Sequence, residues 1–161
     1  MQIRLAQHDD SEAIRQIYNL EVSTSTVTFD LVPRTAADQL QWLEARSGAH
    51  AVIVAEADGE VVGFASLSPF RDRPAYNSTV EDSVYVRADH RGTGVGGALL
   101  DELMTLAAQH GFHTVIARIV GGHDASIGLH QRHGFGIVGT EREVGRKFGK
   151  WLDVVLMQRM L

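Results

Sequence analysis

Val84-Tyr85-Val86-Arg87-Ala88-Asp89-His90-Arg91-Gly92-Thr93-Gly94-Val95-Gly96-Gly97 is the stretch on which the reading of the whole chain turns. An apolar run from Ser83 to Val86 predicts a strand. A short basic turn follows, then a glycine cluster, then the apolar helix pattern Ala98-Leu99-Leu100-Asp101-Glu102-Leu103-Met104. Glycine lets the backbone adopt strained dihedrals and approach a ligand closely. A helix start adds unpaired N–H groups and a positive dipole end, which together bind phosphate. Arg91 adds a fixed cationic fork. The pattern reads as a pyrophosphate cradle.

Two common cradles do not fit. A P-loop closes its glycine run with Lys-Ser/Thr, and here Gly97 is followed by Ala98 and Leu99. Gly92, Gly94 and Gly97 satisfy the dinucleotide pattern G-x-G-x-x-G, but Arg87 to Arg91 separate them from their strand. That pattern also expects an acidic residue about 20 positions on, and Thr114 to Val120 holds none.

The chain has 161 residues, 44% of them apolar and 22% charged, which suits one soluble domain spanning 1–161. A net charge of −5 argues against general nucleic-acid affinity. No apolar run approaches the ~20 residues a bilayer span needs, so no membrane partner is expected. Met1-Gln2-Ile3-Arg4 does not begin a signal peptide, and cysteine is absent. A cytoplasmic location is the expectation. His110 and His113, and His130 and His133, have helical spacing but lack H-E-x-x-H, so no metal is expected.

The coarse order of elements starts with a strand at Ile3 to Ala6, then a helix capped by Asp10-Ser11-Glu12 and a second helix started by Thr35. A hairpin turns at Asp58-Gly59 between 51–55 and 61–65. Strand Thr79 to Val86 and the cradle helix come next. The strand Thr114 to Val120, a helix from Asp124 to Arg132, and strands near 136–141 and 152–160 complete the chain. Meandering strands that later alternate with helices predict an α/β (α+β) chain, its mixed sheet covered on both faces.

Arg91-Gly92-Thr93-Gly94-Val95-Gly96 matches R/Q-x-x-G-x-G/A, and by it the chain resembles the GNAT superfamily of N-acetyltransferases. Phe70 to Asn77, Thr79 to Val86, Ala125 to His130, Gly134-Phe135 and Gly145 to Asp153 are similar to its phosphinothricin and methionine-sulfoximine acetyltransferase branch. The resemblance implies a mostly antiparallel central sheet of the acyl-CoA N-acyltransferase fold and acetyl-CoA as co-substrate. Arg91, Gly92, Thr93, Gly94, Val95 and Gly96 would hold its pyrophosphate, and the main chain of Val84, Tyr85 and Val86 its pantetheine arm. His123 stands where the superfamily often has Asn bonding that arm. The branch's base falls on Glu81. His130 stands where many members have a tyrosine that protonates the leaving thiolate; the alternative is a residue packed beside the pantetheine. Arg71, Asp72 and Arg73 fall on the branch's substrate loop, and a homodimer is implied.

The residue chemistry agrees with this assignment. An α-amine has a pKa of about 7.7 to 8.0, so a carboxylate working through water suffices as base. Arg71 and Arg73 suit the carboxylate of an amino-acid-like small molecule. Without cysteine, direct transfer is expected. Phe29, Phe70, Tyr76 and Trp151 could wall a pocket, or be core. Arg142, Arg146, Lys147 and Lys150 could meet the coenzyme's 3′-phosphate or a partner subunit, or be solvated. Two other readings stay open: acetylation of a peptide N-terminus or other amine, and a non-catalytic acyl-CoA sensor.

Overall fold

The computed structural model describes residues 1–46 and 48–161. In chain order the elements are β1 (Gln2–Leu5), α1 (Ser11–Thr24), α2 (Ala36–Glu44), β2 (Val52–Ala57), β3 (Glu60–Pro69), β4 (Thr79–Val86), α3 (Val95–Gln109), β5 (Thr114–Val120), α4 (Asp124–Arg132), β6 (Gly136–Lys147) and β7 (Lys150–Met160). The strands make one sheet in the order β1-β2-β3-β4-β5-β7-β6. Every ladder is antiparallel except that between β4 and β5.

Side-chain alternation divides the protein into two packed layers. On one face Val80, Val84 and Val86 of β4 meet α3, whose buried residues Val95, Leu99, Leu100, Leu103, Met104 and Ala107 follow helical spacing. On the other, Tyr85 joins Phe64, Val54 and the α1 residues Ile14, Tyr18 and Val22. Burying each large side chain of this kind contributes about 1.5–3 kcal/mol. The parallel β4–β5 ladder consists of Thr79–Thr114, Val80–Val115 and Glu81–Ile116 alone. Beyond Glu81 the two strands diverge, while β4 stays paired to β3 as far as Val86. The sheet therefore carries a fork whose apex is at Glu81.

Several local expectations change. Asp10 does not cap α1 with its side chain. Its carboxylate accepts bonds from the Gln7 N–H at 2.7 Å and the Arg4 guanidinium at 2.7 and 3.0 Å, tying the preceding turn to β1. Asp124 lies in the first turn of α4, and His123 takes the cap position. Helix α3 begins at Val95, so Gly96 and Gly97 lie inside its first turn. A Cβ there would stand 3.3 Å from Leu129 and 3.0 Å from His133, so these two glycines let α4 approach α3. Strands β6 and β7 are longer than 136–141 and 152–160. Register shifts near Ile137–Gly139 and Glu141–Gly145 absorb the glycines and charges that hide the strand pattern. The turn at Phe148-Gly149 has φ of 51° and 73° at those residues, which suits a tight hairpin. Thr35 caps α2 as expected, with Thr35 Oγ1 accepting from the Asp38 N–H at 3.1 Å. The Asp58-Gly59 hairpin also forms where expected.

Candidate active site

The fork in the sheet and the turn before α3 form one continuous surface. The turn leaves β4 at Val86 and enters α3 through Gly94, the helix cap, with φ of 92°; Gly92 has φ of 73°. At both positions a Cβ would meet nothing within 4 Å, so the space above the turn is open. Thr93 Oγ1 donates to the His90 carbonyl at 2.6 Å and holds the turn closed. The first N–H groups of α3 are thus presented to solvent beside glycine backbone, and the residues present fit a diphosphate.

Arg91, at the start of that turn, is held by protein groups. Its Nε donates to the Val86 carbonyl at 3.0 Å, and its guanidinium pairs with the buried Glu21 carboxylate of α1. It braces the end of β4 against α1. Glu21, which falls in no motif of the sequence, is the partner that decides this orientation.

Glu81 is half-buried on the face of β4 opposite Val80 and Asp82. Burial pushes its carboxyl above the usual glutamate value; the Arg118 charge on β5 opposes this, and neighbouring Asp82 adds to it. Arg118 itself pairs with Glu141 of β6 at 2.8 Å. A carboxyl raised in this way, beside the apex of the fork, is a candidate proton acceptor.

On the other face, Asp82 and His130 form a buried pair, His130 Nε2 lying 2.8 Å from Asp82 Oδ2 with side chains 5% and 1% exposed. His130 Nδ1 lies 2.8 Å from the Ser126 carbonyl one turn earlier in α4. Burial works against charge on this imidazole; the hydrogen bond and charge of Asp82, with the Ser126 carbonyl, outweigh it and raise the ring above the ordinary histidine value. The structure brings His130 to the same strand as Glu81, but onto the reverse face and into contact with Asp82. Asp82 was not among the expected site residues. A charged residue in the apolar register of Val80 and Val84 is the signal that could have found it.

His123 is engaged as well. Its Nε2 shares a hydrogen bond with Thr26 Oγ1 at 2.8 Å, joining the start of α4 to the segment between α1 and α2. That segment packs on the β6–β7 hairpin. Phe29 lies so close over Gly145 that a Cβ there would stand 2.3 Å from its ring. Lys147 Nζ is buried and donates to the Thr28 carbonyl at 2.9 Å. Burial pushes this ammonium down, against the charges of Asp30 and Glu21. Tyr18 Oη bonds Thr28 Oγ1 at 2.9 Å and also the Asp30 carboxylate. Of the basic stretch, Lys147 is thereby structural, while Arg146 lies 4.6 Å over the exposed Trp151 ring.

Arg71, Asp72 and Arg73 are exposed on the segment between β3 and β4. Arg71 stacks on Phe70 and Tyr76, 4.7 and 5.5 Å from their ring centres. Among the described residues, no hydrogen bond or ion pair joins these three to Glu81 or to the turn before α3. Val84, Tyr85 and Val86 follow the apex of the fork, on the strand edge that β5 leaves unpaired. No helix of the described residues is long and apolar enough to cross a membrane.

The sequence and fold are similar to those of known proteins. Residues 14–135 match the Acetyltransferase (GNAT) family. An L-methionine sulfoximine/L-methionine sulfone acetyltransferase of Pseudomonas aeruginosa is 42% identical over 158 residues, covering 97% of this chain and 92% of that one. A phosphinothricin acetyltransferase of Sinorhizobium meliloti, solved in complex with acetyl-CoA, superposes with a TM-score of 0.96 at 38% identity, covering 99% of this chain and 88% of its own. A ribosomal-protein-alanine N-acetyltransferase of Brucella melitensis gives a TM-score of 0.98 at 41% identity, with full coverage of both chains. The chain belongs to the GNAT acetyltransferase family, within the branch of phosphinothricin and methionine sulfoximine acetyltransferases.

Proposed function

We propose that this acetyl-CoA-dependent N-acetyltransferase acts on the α-amino group of a small amino-acid-like compound of the phosphinothricin or methionine sulfoximine type. One observation carries the reading: an open diphosphate cradle leads along the unpaired edge of β4 to a fork with a half-buried carboxylate, Glu81, at its apex. The names of the Pseudomonas and Sinorhizobium relatives supply the acceptor class.

Bound acetyl-CoA supplies an activated acyl carbon and a sulfur leaving group. The protein supplies the rest. The Gly92 to Gly96 amides and the α3 terminus hold the diphosphate, with Thr93 closing the turn behind it. Glu81 takes the amine proton, directly or through one water. Arg118 limits how far Glu81 is raised and so keeps it usable as a base. Transfer is direct, since the chain has no cysteine to carry the acyl group. Residues 1–161 act as a single domain, a homodimer in the cytoplasm. Arg71 and Arg73 are exposed and available to an acceptor carboxylate.

A second reading has support of its own. The Brucella neighbour is named for a protein N-terminal alanine, an acceptor with the same α-amine. Free-thiol release from acetyl-CoA, measured with methionine sulfoximine, methionine sulfone, phosphinothricin, free amino acids and an alanine-terminated peptide, separates the two. Release with the sulfoximine, sulfone or phosphinothricin and not with the peptide is expected. Release with the peptide alone reverses the assignment, and no release with any amine leaves an acyl-CoA sensor.

A further inference from the structure

Residues 25–34 lead from α1 to α2, and on the way they cross the sheet. Tyr18 of α1 meets the Tyr85 ring of β4 edge-on, with ring centres 5.3 Å apart. Beyond α1, Thr26 reaches His123, just past the end of β5. Thr28 and Phe29 reach Lys147 and Gly145 of β6. β6 is paired to β7, and β7 to β5. The segment therefore passes from the β4 side of the fork to the β5 side, on the face that carries Tyr85 and Glu81. The other face is covered by α3 and by α4, which meets β4 through His130 and Asp82. An amine that reaches a thioester in the fork beside Glu81 comes from the crossed face.

Two residues of β6 are shaped to this segment. Lys147 is 3% exposed, and its ammonium donates to the Thr28 carbonyl at 2.9 Å. Burying an ammonium is costly. The charges of Asp30 and Glu21, with the Phe148 ring 5.2 Å away, offset part of that cost. Gly145 lies under the Phe29 ring, three of whose atoms would stand within 3.0 Å of an added Cβ. Its φ is not in the left-handed region, so glycine serves here for space and not for backbone freedom. Tyr18 ties the same stretch to α1, bonding Thr28 Oγ1 at 2.9 Å and the Asp30 carboxylate. The Asp30 N–H donates to Thr28 Oγ1 at 3.2 Å. Residues 26–30 are thus fastened at both sides of the fork.

We infer that Lys147 and Gly145 are positioning residues for the acceptor: they hold residues 26–30 across the fork and so fix the path of the amine to the thioester. The inference rests on the acetyl transfer proposed above. It places their effect on the acceptor and not on the coenzyme, whose diphosphate cradle lies at the start of α3, on the other face.

Gly145→Ala forces the Phe29 ring to shift, and Lys147→Met keeps the length of the side chain but removes its donor. Gly136→Ala is the control, a methyl added to the same strand where nothing lies within 4 Å. Amide hydrogen exchange on the full chain, without substrates, reads the hold directly. Exchange across 25–34 is faster in Gly145→Ala and Lys147→Met, and unchanged across α3. With methionine sulfoximine, or the acceptor that the thiol-release panel selects, kcat/KM falls roughly 10- to 10²-fold, the scale of a misplacement of about 1 Å. The Kd for acetyl-CoA, measured by calorimetry, stays at the native value, and Gly136→Ala matches the native protein throughout. Unchanged exchange across 25–34 overturns the inference. So does faster exchange with a native kcat/KM, or a Kd for acetyl-CoA that rises as far as kcat/KM falls. Should Lys147→Met not fold, Gly145→Ala is read alone. Native protein that releases no thiol with any amine removes the acetyl-transfer reading itself, and this inference with it.

Discussion

Glu81→Gln is expected to lower kcat/KM by roughly 10²- to 10⁴-fold, the usual contribution of a positioned general base. Glutamine preserves size and half-burial but cannot take a proton. The pH profile identifies the group. Burial raises Glu81, so the acidic limb of native kcat/KM lies above the ordinary glutamate value of about 4.3, and the variant loses that limb. The loss cannot come from unfolding. A carboxyl raised in the folded state costs stability once pH exceeds its folded value, so replacing it with an amide leaves the melting temperature unchanged or slightly higher. A Gln variant retaining both its rate and its acidic limb would remove Glu81 from the chemistry.

Gly94→Val should have the second-largest effect, on coenzyme binding. Gly94 has φ of 92° at the α3 cap, where a β-branched residue is strained, and an added side chain would occupy the open space above the turn. About 2 kcal/mol of strain and lost amide contact corresponds to a roughly 30-fold rise in the Kd for acetyl-CoA, measured by calorimetry. Gly149→Ala is the matching control, because Gly149 has φ of 73° and equally open surroundings in the β6–β7 turn. It should lower stability while leaving the Kd unchanged. Equal loss of affinity in both variants would show that strain, and not the cradle, weakens binding.

What the sequence made legible was local. The strands 79–86 and 114–120 and the helix 124–132 appear at the expected residues, because apolar periodicity and flanking glycines mark them. The cradle was readable for the same reason: its parts are contiguous. β6 was read only as far as Glu141, because the register shift between Glu141 and Gly145 breaks the alternation that identifies a strand beyond it. The side-chain partners were less legible still. Glu21 meets Arg91, Asp82 meets His130, and Lys147 meets Thr28 across 70, 48 and 119 residues of sequence respectively. No spacing rule links such residues. Arg91 is the clearest case: its type suggested a phosphate ligand, and nothing in its neighbourhood of sequence announced the buried carboxylate on α1 that it pairs with. His130 was singled out by family resemblance, but nothing local indicated that both its ring nitrogens would be engaged.

The most direct test of the central claim is a crystal structure of the protein with acetyl-CoA. The account predicts the diphosphate on the Gly92 to Gly96 amides and the thioester lying in the fork between β4 and β5, within reach of Glu81. Coenzyme bound elsewhere, or a thioester placed outside that fork, would contradict it.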